Sequence, residues 1–222
     1  MTFWKAAAVI MRKDLTVEGR SGEVLWITIP FGLIALFLIP LALPLDNPLL
    51  QRIAGPMYWV ILLLFGMTIA LRQSATGTTP QREALRMLGV DAAARFTGRV
   101  LATTLLSLAF ALVLAPATVV LFDANLPSGW PLLIPIVMAV TLGLGIVGTV
   151  AAELTRGLRT RTALAPLLVA PLAAPLLVAA AQATESLSRG DSILLPALII
   201  AFTVLGLAVI GVLTAGPLEE TQ

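Results

Sequence analysis

The most suggestive spacing in this sequence is a glycine series, Gly143 to Gly148, with glycines at its first, third and sixth positions. In dinucleotide-binding proteins such glycines follow a strand, open a helix and let a pyrophosphate approach the backbone. Here the series lies within a long apolar stretch, with no strand before it and no acidic residue at the distance of the ribose. The spacing therefore indicates close packing between helices, either within the chain or between two copies.

The residues that most often catalyse reactions or bind metals at neutral pH are missing. Histidine and cysteine are both absent, which removes the commonest metal ligand, the usual axial ligand of haem, and thiolate chemistry. An intramembrane protease would need a serine–histidine pair, paired aspartates or a zinc site, and none can be assembled. No lysine follows Lys13, so a Walker A loop is excluded. We predict that the chain is not an enzyme and has no catalytic, cofactor or metal site.

Composition indicates a lipid environment. Of the 222 residues, 59% are apolar and 12% are charged, which leaves too little polar surface to coat a water-soluble domain of this size. The fourteen basic residues are spread along the chain and form no patch for nucleic acid. We expect a single transmembrane domain over residues 1–222, with the lipid bilayer as its surroundings and no nucleic-acid partner.

Six stretches without charge are long enough to cross a bilayer, because a helix needs about 20 residues to span the hydrocarbon core. The sequence therefore predicts an all-α integral membrane protein with six transmembrane helices. No ionisable residue lies near the middle of any of them, which argues against ion-coupled transport. The predicted spans cover residues 24–45, 53–71, 100–122, 130–152, 162–184 and 192–218.

The distribution of lysine and arginine predicts the orientation. Twelve of the fourteen basic residues fall in the N-terminal segment, the loop after the second span and the loop after the fourth. Only Arg52 and Arg189 fall on the other side. Since basic residues accumulate in cytoplasmic loops, both termini are expected in the cytoplasm.

The N-terminal segment, residues 1–23, is predicted to be an interfacial amphipathic helix. Met11 and Leu15 stand seven and eleven residues after a tryptophan, while basic residues lie elsewhere around the helix, a pattern typical of helices that lie on a membrane surface. Such a helix is either a simple membrane anchor or a collar that helps to dock a cytoplasmic partner. Its candidate residues are Trp4, Lys5, Arg12, Lys13 and Glu18.

The loop over residues 72–99 is the longest polar segment and is predicted to contain a short cytoplasmic helix. Pro80 stands near its start and Gly89 at its end, as helix boundaries favour. Two leucines on this helix could enter a groove on a partner while two charged residues contact the rim. The alternative is a solvated loop. The candidate docking residues are Glu83, Leu85, Arg86 and Leu88.

The fifth predicted span carries three prolines, Pro166, Pro171 and Pro175, within ten residues. Each proline removes a backbone donor, so the helix should kink or open locally unless its neighbours compensate. The prolines indicate either a helix that moves or lines a path, or a static kink.

Several further stretches, in chain order, carry a family resemblance. They are Phe3-Trp4-Lys5, Lys13-Asp14-Leu15, Arg52-Ile53-Ala54-Gly55 with Trp59, Glu83 with Leu85 and Leu88, Gly98-Arg99-Val100-Leu101, and the proline–leucine run from Ala165 to Leu177. With the predicted architecture, they resemble the permease subunits of type-2 ABC exporters, and most closely the CcmB family. The resemblance covers nearly the whole chain.

The resemblance implies a haem exporter of cytochrome c maturation. In such a complex two permease copies sit on two copies of a CcmA-like ABC ATPase, assisted by CcmC-like and CcmD-like membrane proteins. ATP hydrolysis would then drive haem export or release of a haem-chaperone complex. The alternatives are a type-2 permease for a drug or lipid-linked glycan, and a membrane scaffold that transports nothing.

Haem is expected here only as a transported substrate and not as a stably bound cofactor. Without histidine or cysteine, the iron could be ligated only by weak alternatives such as Met57, Tyr58 or Met67. Apolar walls and contacts between arginine and the propionates would then have to hold the molecule.

Overall fold

The computed structural model describes residues 2–22, 24–42, 48–75, 91–124, 129–154 and 161–215. A π-helical turn, Val24–Thr28, leads into the second helix, and a 3-10 turn, Trp130–Leu132, leads into the fifth. No strand occurs in these ranges, so the all-α class is confirmed. The helices are α1 (Phe3–Ser21), α2 (Ile29–Leu41), α3 (Pro48–Ala75), α4 (Ala92–Leu121), α5 (Leu133–Leu154), α6 (Arg161–Arg189) and α7 (Leu194–Ala215).

Several of these helices are long and apolar enough to cross a membrane, which makes the chain a multi-pass membrane protein. Four qualify individually, and a bent pair, Phe3–Ser21 with Trp26–Leu41, qualifies as a fifth when it is taken as one unit. Helix α6 has 29 residues and contains the predicted fifth span. The four individual segments are Leu49–Gln73, Ala92–Leu121, Trp130–Leu154 and Leu194–Leu213.

The bend between α1 and α2 begins at Gly22. This residue has φ of 63°, and its N–H donates to the Glu18 carbonyl at 2.7 Å, which is the usual way in which a glycine ends a helix. A Cβ at this position would lie 2.6 Å from Cδ1 of Trp26. Because only glycine accepts both the backbone angle and the contact, α1 stops here, and the two helices differ in direction by 52°.

Helix α5 lies at the centre of the bundle and contacts α3, α4, α6 and α7. Each glycine of the Gly143 to Gly148 series faces a different neighbour, and an added Cβ would lie within 2.6 Å of it. The prediction that these glycines serve close helix packing is therefore confirmed, and the packing is within the chain. The facing residues are Leu176 of α6, Thr104 of α4 and Ala70 of α3.

Several polar side chains inside the bundle donate hydrogen bonds to backbone carbonyls. The hydroxyl of Thr118 donates to the Leu114 carbonyl at 2.9 Å, and that of Thr149 to the Gly145 carbonyl at 2.7 Å. Tyr58 on α3 donates to the Ala111 carbonyl of α4 at 3.3 Å. Such bonds are needed because lipid offers polar groups no partner.

The bundle has two ends, and each is named here after an acidic residue that lies at it. At one end, here called the Asp123 end, α3 begins and α4 and α6 finish, and Gln51 donates to the Asp123 carboxylate at 3.4 Å. At the opposite end, called the Glu153 end, α3 and α5 finish and α4 begins. Helix α1 packs against α4 near this second end, beside Gly98.

Candidate functional site

Helix α1 packs on α4 through a stripe of small and acidic residues. A Cβ at Gly98 of α4 would lie 2.7 Å from the Ala7 carbonyl oxygen and 2.9 Å from Cβ of Ile10, so only a glycine lets the two helices approach this closely. The same face of α1 continues with Asp14 and Glu18, which are only 4% and 7% exposed. Helix α1 is thus fixed to the bundle by an interface that includes two buried carboxylates.

The other predicted residues of α1 lie away from this interface. Trp4 is 70% exposed, and Lys5, Arg12 and Lys13 are exposed as well. Glu18 is the only one of the five candidate residues that packs against the bundle. The helix predicted for the N-terminal segment is therefore present, and the face marked by its tryptophan points away from α4.

The outward face of α1 forms a shallow groove of about 500 Å³. Three basic residues line it, with two valines and a threonine between them. Cationic side chains beside apolar ones match the boundary between anionic head groups and acyl chains. The lining residues are Val9, Arg12, Lys13, Thr16, Val17 and Arg20.

An ion pair at the Glu153 end joins α4 to α5. Arg99, one residue after Gly98, donates through its guanidinium to the Glu153 carboxylate, and the two side chains are 15% and 13% exposed. One turn earlier on α4, Arg95 is 5% exposed. Partly buried charges are retained only where opposite charges or hydrogen bonds compensate for lost hydration, so this end is a charged junction of α1, α4 and α5.

The predicted docking residues Glu83, Leu85, Arg86 and Leu88 lie outside the described residues. The described chain stops at Ala75 of α3 and resumes at Asp91, and both positions belong to the Glu153 end. Asp91 caps α4, since its carboxylate accepts from the Ala93 N–H at 3.4 Å. The described chain thus leaves α3 and resumes before α4 at the Glu153 end.

The proline-rich span is helical from Arg161 to Arg189. Pro171 and Pro175 are exposed on the surface of α6, where their missing N–H groups do not face the bundle interior. Pro166 lies in the same helix, and its side chain falls outside the described set. A kink that opens a path stays a prediction.

Sequence reasoning missed the burial of Asp14 and Arg95. It also did not predict the ion pair between Arg99 and Glu153. A usable signal existed, because antiparallel neighbouring spans bring the start of one beside the end of the next. Opposite charges at such positions predict an interhelical ion pair.

The junction has the chemistry of a structural contact. Within the described ranges, no group of three or more histidine, cysteine, aspartate or glutamate residues is arranged to hold a metal. The charges here hold helices together, and the surrounding helices are those of a multi-pass membrane protein. The fold and the junction thus define a helical, multi-pass membrane protein with a charged junction at one end.

The chain belongs to the CcmB protein family, whose model matches residues 5–219. Among curated proteins it is similar to heme exporter protein B of Haemophilus influenzae, with 26% identity over 178 residues. The matched region covers 80% of this chain and 80% of that relative. The resemblance noted from the sequence is thereby confirmed.

Proposed function

We propose that the chain is the permease subunit of an ABC exporter that serves cytochrome c maturation, moving haem or releasing its chaperone complex at the expense of ATP hydrolysed by a partner. The observation that carries this proposal is the family match over residues 5–219, which includes nearly every helix. The relative named for heme export supports the choice of substrate. The catalytic step would lie in the partner subunit.

We further propose six spans with both termini in the cytoplasm of a cell with an inner membrane. The four individual spans, the helical stretch over residues 24–41 that follows α1, and the 29-residue helix α6 together supply six apolar passages. The excess of lysine and arginine at the Glu153 end supports its cytoplasmic placement. In this arrangement the basic groove on α1 would face anionic head groups, as an interfacial helix requires.

The segment with Glu83, Leu85, Arg86 and Leu88 would dock the ATPase. Support comes from its position in the chain, because both of its ends join the charged junction at the Glu153 end. The ion pair between Arg99 and Glu153 would carry displacement of α4 to α5. A dimeric ATPase would require two copies of this chain, with CcmC-like and CcmD-like proteins beside them.

The proposal is tested by affinity purification of the tagged full-length chain from its native host in mild detergent, followed by mass spectrometry. Recovery of an ABC ATPase with a CcmC-like protein is the expected result. An ATPase without the CcmC-like protein would redirect the proposal to export of another substrate, and the absence of any ATPase would refute it.

Docking is tested by Glu83→Ala and Leu85→Ala in the assembled complex. We expect loss of substrate-linked ATP turnover, with Gln81→Ala as the matched control in the same segment. Normal turnover in a complex of normal composition would contradict the docking role and favour a scaffold.

A further inference from the structure

A cavity of about 640 Å³ lies at the Asp123 end, between the first turns of α3 and the last turns of α6. Arg52 on α3 and Arg189 on α6 both line it, together with Gln182. Ile53 and Val178 contribute apolar wall. The cavity therefore combines cationic and hydrogen-bonding groups with a surface suited to an apolar body.

The two arginines of this cavity differ in whether an acid is bonded to them. Arg189 is paired with Glu185, one turn before it on α6. Arg52 is exposed, and within the described ranges no carboxylate or other acceptor is bonded to its guanidinium. Asp123, the nearby acid, accepts from Gln51. The two cations and the two acids named here therefore balance, but the guanidinium of Arg52 remains available to a ligand.

The sequence positions of these arginines add a second argument, which rests on the topology proposed above. Arg52 and Arg189 are the two basic residues of the fourteen that the topology assigns to the outer side. Lysine and arginine are less frequent in loops on the outer side of the membrane than in cytoplasmic loops. Two such residues, distant in the sequence and lining one cavity, indicate a use for positive charge at that place.

We propose that this cavity binds an amphiphile with an oxyanion head, a carboxylate or a phosphate, at the outer surface of the membrane. Arginine binds both groups through paired N–H donors. The head would contact Arg52 and Arg189, and the apolar body would lie along Ile53 and Val178. Two molecules share this chemistry, a porphyrin with its propionates and an anionic phospholipid, so the site deepens the proposed export function without depending on which one binds.

Trp59 provides an internal reporter of occupancy. Its Nε1 donates to the Thr184 hydroxyl at 2.9 Å, and Thr184 lines the cavity. The other three tryptophans are exposed and can be replaced together, as Trp4→Phe, Trp26→Phe and Trp130→Phe. In that background, quenching of the remaining fluorescence reports a ligand beside Trp59.

The experiment uses the full-length single-tryptophan chain in phosphatidylcholine nanodiscs. One arm titrates protoporphyrin IX and its uncharged dimethyl ester. The other arm substitutes brominated phosphatidylglycerol or brominated phosphatidylcholine for part of the lipid. We expect one charged probe to quench Trp59 strongly and its uncharged or zwitterionic counterpart weakly.

Variants then connect the quenching to the arginines. Arg52→Gln and Arg189→Gln should each raise the apparent Kd of the charged probe about tenfold, since a hydrogen-bonded charge contributes that much. Arg52→Lys keeps the charge and should retain part of the affinity even where the glutamine variant folds poorly. Lys5→Gln, which removes an exposed cation of α1 that lines neither this cavity nor the groove, is the control and should bind as the parent does.

Quenching by protoporphyrin IX identifies a porphyrin as the occupant, and quenching by brominated phosphatidylglycerol identifies a lipid. The inference is overturned if neither charged probe quenches, if the dimethyl ester quenches equally, or if both glutamine variants bind like the parent. The proposed function is judged separately, by recovery of an ATPase with the tagged chain, so one can fail without the other.

Discussion

Substitution of Gly148 by alanine should destabilise the bundle strongly, although it adds only one methyl group. A Cβ at Gly148 on α5 would lie 2.2 Å from Cβ of Ala70 on α3. Carbon atoms prefer a separation of about 3.5–4.0 Å, so the two helices would have to move apart by roughly 1.5 Å. Helix α5 has little room for that movement, because Gly145 already lies against Thr104 and Gly143 against Leu176.

Overpacking of this kind costs about 1–3 kcal/mol. We expect a loss in that range in the free energy of unfolding, measured by circular dichroism as the protein is titrated with a denaturing detergent in mixed micelles. Gly206→Ala on α7 is the matched control, since nothing lies within 4 Å of its added methyl group. It should be neutral, or more stable by about 0.5–1 kcal/mol because alanine favours a helix.

The double variant Gly148→Ala/Ala70→Gly moves the methyl group from one helix to the other. It should recover much of the lost stability, with a coupling energy of about 1–2 kcal/mol between the two sites. Additive effects of the two substitutions, or a Gly148→Ala protein as stable as the Gly206→Ala protein, would refute the packing argument.

Three further predictions follow from other contacts. Glu153→Gln should lower the free energy of unfolding by about 1–3 kcal/mol, because it leaves the guanidinium of Arg99 without its charged partner. The exchange Arg99→Glu/Glu153→Arg should recover part of this loss in the same titration. Gly98→Leu should expose α1 to limited proteolysis, whereas Gly19→Ala, which meets open space, should not; equal cleavage would contradict the α1–α4 interface. The purified chain should show no sharp low-spin Soret band after incubation with haem and desalting, because it lacks histidine and cysteine; such a band would contradict this expectation.

Apolar length alone predicted most of the membrane helices. The predicted spans that begin at residues 53, 100, 130 and 192 coincide with helices that meet the length and hydropathy of a membrane span. This works because lipid requires every backbone N–H to bond within its own helix, so an apolar stretch of sufficient length has few alternatives to a helix. The glycine series was equally readable, since no other role suits three small residues inside such a helix.

The packing face of α1 was not readable in this way. Its sequence offers an apolar stripe through Met11 and Leu15 and a second stripe that ends in Asp14 and Glu18. The ordinary rule buries the apolar stripe, but here bulky side chains can face lipid at no cost, so the rule does not decide. What decides is Gly98, far along the chain on α4, because its missing side chain lets the face of α1 that carries Ala7, Asp14 and Glu18 approach α4. Such a choice belongs to the pair of helices, and neither helix encodes it alone.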